Sequence, residues 1–89
     1  MNYQKFDTAL SMALNHVDNP NENCLVVFIH TQATIDSGAK QFLKSLGISN
    51  ITEDKQVYTA TVSLNIISEL SEKLWVDYLK LSQRLHLAQ

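Results

Sequence analysis

The run Leu25-Val26-Val27-Phe28-Ile29 constrains the fold of this chain more than any other stretch, because it holds five apolar residues in succession. Side chains alternate faces along a strand, so an unbroken run of this kind buries both sides. It therefore predicts a central strand. One face can take helices from the same domain, while the other needs a cover, for which the N-terminal helix and a partner chain are the two candidates.

The N-terminal segment supplies that helix. Tyr3, Phe6, Leu10, Ala13, Leu14 and Val17 recur at spacings of three and four, the single stripe of an amphipathic helix. The stripe ends before Pro20 in the turn-rich residues 18–23, the one linker-like stretch, so the helix is expected as an addition to the rest. After the central strand, residues 34–46 return to helical spacing. Thr34 or Asp36 is available as the N-cap, and Gly47 sits where a left-handed C-cap belongs.

A short strand is predicted at residues 48–51, followed by a polar turn. Residues 56–63 then alternate, with Tyr58, Ala60 and Val62 on one face and Val57, Thr59 and Thr61 on the other. That pattern predicts a half-buried strand in a hairpin with its predecessor. Ser63 caps a short helix carrying Ile66, Ile67 and Leu70 inward. The closing strand opens at Leu74 or Trp75 and turns Val76, Leu79 and Leu81 inward. A spacing of three between Val76 and Leu79 breaks the period of two, so a bulge is predicted near Asp77 or Tyr78. The sum is an α+β fold: a ferredoxin-like split β-α-β unit with a four-stranded antiparallel sheet, two helices on one face and an extra N-terminal helix. The expected division is residues 1–19 for that helix and 24–89 for the βαββαβ unit, within one globular domain.

Reactive groups are sparse. His16, His30 and His86 fall on different predicted elements and make no ligand spacing with Cys24, so no metal site is expected. Cys24 and His30 lie at opposite ends of one strand, about 20 Å apart at 3.3–3.4 Å per residue, beyond reach as nucleophile and base. Neither the carboxylate pairs, Glu53-Asp54 and Glu69 with Glu72, nor the two glycines form a catalytic or phosphate-binding pattern. A formal charge of -2 and the lack of basic-aromatic interleaving argue against nucleic acid. No apolar run approaches the length of a membrane span, and a single Cys forms no internal disulfide. The expectation is a cytoplasmic protein without enzyme activity or cofactor. Trp75 either covers a helix-strand corner or anchors an interface, with Leu85 as a second interface candidate.

Residues 25–89 resemble the subtilisin propeptide-like family, the small domains that act as intramolecular chaperones and peptidase inhibitors. The resemblance is carried by the leading strand LVVFIH, a helix ending FLKSLGI, the stretch VYTATVSLNIISELSEKLWVDYLKL and the C-terminal tail. Within that stretch the matching positions are Thr59-Ala60, Val62, Leu64, Leu70, Val76 and Tyr78-Leu79. The resemblance implies a sheet face that packs on surface helices of a subtilisin-type serine protease, and a tail that enters its substrate cleft. On this chain His86, Leu87, Ala88 and Gln89 would be the protease-contacting residues, adding to the cleft as a strand. Where the family commonly offers acidic residues after the Val-x-Tyr strand, this chain has Lys80, Ser82 and Arg84. The functional expectation is a free-standing peptidase inhibitor or folding chaperone. The alternative is an intracellular protein-protein interaction or self-association domain, for which a homo-oligomer is expected.

Overall fold

The computed structural model describes residues 1–52 and 54–85. A short 3-10 turn, Tyr3–Lys5, leads into α1 (Thr8–Leu14). Then follow β1 (Leu25–Thr31), α2 (Ser37–Ser45), β2 (Val57–Val62), α3 (Leu64–Ser71) and β3 (Val76–Arg84). Local chemistry sets each helix start. The carboxylate of Asp7 accepts from the Leu10 N–H (2.9 Å), that of Asp36 from Ala39 (2.8 Å), and the hydroxyl of Ser63 from Ile66 (3.2 Å). None of these helices is long and apolar enough to cross a membrane, among the described residues.

The sheet has three antiparallel strands in the order β2-β1-β3, with β1 central as its apolar run requires. The fourth strand expected at residues 48–51 does not form. That corrects the four-stranded reading, and the reason lies in where its backbone groups go. Gly47 adopts φ 88°, the left-handed conformation that a side chain strains. With that turn, the N–H of Gly47 donates to Lys44 O and the N–H of Ile48 to Leu43 O, closing α2 in a Schellman motif. Ile48 is spent as the buried staple of the helix end. Further on, the buried Tyr58 hydroxyl sits 3.2 Å from Thr52 O and 3.1 Å from Lys55 O, where it can serve either carbonyl. The order β2-β1-β3 is what remains of the split arrangement when its outer strand is lost.

One hydrophobic core lies between the sheet and the helices. It joins Leu25, Val27 and Ile29 of β1 to Tyr58, Ala60 and Val62 of β2, Val76 and Leu79 of β3, Leu43 of α2, and Ile67 and Leu70 of α3. Phe6, Leu10, Ala13 and Leu14 belong to the same core, so α1 packs on the helical side of the sheet and does not cover its other face. The N-terminal stripe is broken at Phe6 and Asp7, where the chain runs extended beside β3. There the Asp7 N–H donates to Leu79 O (3.2 Å) and the Asp7 carboxylate accepts from the Leu81 N–H (3.2 Å). A single residue thus caps α1 and closes the outer edge of β3. The N-terminus is held further by Met1 N to Glu72 (3.1 Å), Asn2 N–H to Ser71 Oγ (3.0 Å) and Lys5 Nζ to Lys73 O (2.8 Å).

The bulge predicted near Asp77 is present. Thr31 pairs with Val76 and His30 with Tyr78, leaving Asp77 as the extra residue. A second irregularity between Val26 and Val27 makes Ser82 another extra residue, which nothing in the spacing announced. It reverses facing once more, so that Arg84, and not Leu85, shares the side of Leu81.

Candidate functional site

β1 alternates between fully buried and half-buried residues along its length. Leu25, Val27, Ile29 and Thr31 are inward, while Val26, Phe28 and His30 point to the helix-free side and stay partly exposed. Neither Val26 nor Phe28 packs against the core. The register turns these three residues into three rows across the sheet. Val26 lies between Thr61 and Gln83, Phe28 between Thr59 and Lys80, and His30 between Val57 and Tyr78. The His30 and Tyr78 rings meet edge to face, with centroids 5.6 Å apart at 72°. The face therefore has an apolar and aromatic centre along β1, flanked by Thr59, Thr61, Lys80 and Gln83, with the exposed Val57 beside His30. Lys80 is the one permanently charged residue in the three rows.

That arrangement suits surface recognition. A partly exposed apolar centre with polar neighbours is an arrangement that protein interfaces use, and no nucleophile is paired with a base on this face among the described residues. Cys24 sits just before β1, half-buried, and His30 near its far end. No group of three or more His, Cys, Asp or Glu residues is clustered for metal binding, among the described residues. A cavity of about 120 Å³ lies between the turn after β1 and the one before β2. Its lining of Thr34, Thr52, Lys40 and Lys55 with Ala33 and Ile35 suits water or a small polar group.

Of the interface residues expected from the sequence, Trp75 lies off this face, whereas Leu85 alternates to the same side as Gln83. Trp75 is half-buried against the core, and its ring meets Phe42 edge to face at 6.1 Å. Lys73 Nζ stands over the other partner of that pair, 4.8 Å from the Phe42 centroid. The group covers the corner between α2 and the start of β3. Leu85 is held to its own domain by an N–H bond to Cys24 O (2.8 Å), which continues the β1–β3 ladder beyond Arg84. Residues Ser82 to Arg84 are accordingly part of β3, with Leu85 bonded just beyond it. The expected protease-contacting residues His86, Leu87, Ala88 and Gln89 lie outside the described residues. Of the three polar residues that stand in place of acids, only Lys80 joins the uncovered face. Ser82 occupies the bulge, and Arg84 turns toward α1, with its guanidinium 3.5 Å from His16 O.

The sequence made the need for a cover visible, because five apolar residues in a row cannot all face helices. It did not identify Thr59, Lys80 and Tyr78 as neighbours of that surface, which depends on two bulges and on strand order. No family model matches this chain, and searches of curated proteins and of solved structures find no match either.

Proposed function

We propose that this chain is a non-enzymatic protein-binding domain that seats the uncovered face of its sheet on a folded partner. The observation that carries the reading is the partly exposed Val26-Phe28-His30 row on the central strand, which lies on the side away from α1, α2 and α3 and is covered by no helix among the described residues. Burying what remains exposed of Phe28 and Val26 on a partner contributes at most about 1 kcal/mol each, because both are already partly buried in the single molecule. The resemblance to subtilisin propeptides supports a finer form of the same reading. In that form the partner is a subtilisin-type serine protease, the face covers its surface helices, and residues 86–89 enter the cleft. Lys80 beside Phe28 then favours a helix C-terminus or a carboxylate on the partner surface, since either attracts a cation.

The test is inhibition of a subtilisin-type protease by the purified chain. Phe28→Asp, shown to be folded by a cooperative unfolding transition, lowers inhibition by about tenfold or more. Deleting residues 86–89 removes most of the inhibition. If the intact chain remains uncleaved and does not slow the protease at tens of micromolar, the protease reading fails. Loss of the broader reading requires that Phe28→Asp also leave every partner interaction of the chain unchanged.

A further inference from the structure

We infer that the outer edge of β2 pairs with the same edge of a second copy, giving a two-fold dimer with a continuous six-stranded sheet. This goes beyond the recognition face, because it rests on backbone groups at the edge and not on the side chains of the face.

The phase of the β1–β2 ladder identifies the groups involved. The Thr31 N–H donates to Gln56 O at 2.8 Å. In an antiparallel pair, hydrogen-bonded and non-bonded positions alternate. Ile29–Tyr58, Val27–Ala60 and Leu25–Val62 therefore share the bonded phase, and Val57, Thr59 and Thr61 turn their N–H and C=O groups away from β1. No backbone group meets them, among the described residues. The strand that would have met them is the missing one, whose Ile48 is tied to the end of α2, while the turn after it is held at Thr52 O and Lys55 O by the Tyr58 hydroxyl.

The chemistry of this edge matches a copy of itself. VYTATV carries no charge, proline, glycine or bulge, which are the devices that keep an exposed edge from pairing. One antiparallel register engages all three outward residues. Thr59 opposes Thr59 of the second copy, and Val57 opposes Thr61 in both directions. That makes about six backbone hydrogen bonds, two for each of three pairs. Cross-strand β-branched pairs of this kind are favourable, and like charges directly opposite are not. The nearest charge described, Lys55, falls opposite Ser63, so no like charges meet. On the inner side Tyr58 comes opposite Ala60, large against small.

Closure follows from the other edge. Asp7 engages Leu79 O and the Leu81 N–H with its own N–H and carboxylate, so β3 has no free edge at that point. With β3 covered at Leu79 and Leu81, β2 holds the longer uninterrupted edge among the described residues, and a like-with-like pairing there closes on itself. The result is an isologous dimer, where two open edges would give a growing ribbon.

Light scattering on the full chain up to about 100 µM, with concentration-dependent amide exchange, tests this. The expected mass is twice the 10.1 kDa of the chain, and the amides of Val57, Thr59 and Thr61 gain protection as concentration rises. Thr59→Lys places two like charges opposite each other at the two-fold axis and weakens association about tenfold or more. The same change at Gln41, exposed on α2, has no effect. Thr59 is exposed in the single molecule, so an unchanged unfolding midpoint in dilute solution shows that the variant folds. A strict monomer over the whole range overturns the inference. So does a dimer that persists in Thr59→Lys with those three amides unprotected.

Discussion

Asp7→Ala should destabilise this protein by about two to three times as much as Asp36→Ala, although both remove a helix N-cap carboxylate. Asp36 makes one such bond, to Ala39 N–H at 2.8 Å. Losing a cap of this type costs about 1 kcal/mol. Asp7 makes the equivalent bond to Leu10 N–H at 2.9 Å, and its carboxylate also takes the outward Leu81 N–H of β3 at 3.2 Å. Removing the second bond strands a partly buried backbone donor, which adds about 1–2 kcal/mol. The expected totals are about 2–3 kcal/mol for Asp7→Ala and about 1 kcal/mol for Asp36→Ala. Urea unfolding followed by the fluorescence of Trp75, which is packed on Phe42, measures both. At a slope of about 1 kcal/mol per molar, the midpoint falls by about 2–3 M in the first case and about 1 M in the second. Asp7→Asn keeps an acceptor at the same place and should lose less than half as much, since a neutral acceptor makes the weaker bond. Amide exchange at Leu81 supplies an independent reading and should accelerate in Asp7→Ala alone. Equal losses in the two alanine variants, with Leu81 exchange unchanged, would refute the idea that Asp7 closes the edge of β3.

Three further outcomes follow from the packing. Leu10→Ala, at a fully buried position on α1, should cost about 2.7–5 kcal/mol in the same titration; a loss below 1 kcal/mol would mean that the N-terminal helix does not share the core. Tyr58→Phe deletes the hydroxyl near Thr52 O and Lys55 O and should cost about 1–2 kcal/mol, with faster proteolysis in residues 48–55 as the local reading. Gly47→Ala places a side chain at φ 88°, where nothing lies within 4 Å to clash, so its cost of about 1 kcal/mol comes from the backbone alone. Thermal unfolding should show that shift, and Gly47→Asn should recover part of it.

Much of this fold could be read locally. Ser63 and Asp36 each precede a helical stripe, and Gly47 follows one, because a cap is a contact between near neighbours in the chain. The alternation of Tyr58, Ala60 and Val62 with Val57, Thr59 and Thr61 needs only the pleat of a strand. Even the bulge at Asp77 was legible, since Val76 and Leu79 both require the core and a period of two cannot place them there. The central position of Leu25–Thr31 followed from the cost of leaving five apolar side chains without cover.

Other features belong to partners far apart in the chain. Residues 48–51 have the composition of a strand, but Ile48 is drawn into the helix end and Tyr58 reaches back over Thr52 and Lys55. The tail of the strand rule loses there to closer hydrogen-bond partners. The apolar stripe of the first segment predicts one helix, and its break at Phe6 and Asp7 arises because β3 offers Leu79 O and Leu81 N–H some 70 residues away. The bulge at Ser82 has no spacing signal and decides whether Arg84 or Leu85 faces the helices. Sequence alone therefore determined which residues want burial and where α2 and α3 begin. Tertiary structure decided which backbone groups are left without a partner, because hydrogen-bond satisfaction is settled between segments and only after they meet. Among the described residues, the outer edge of β2 is where that settlement is left incomplete.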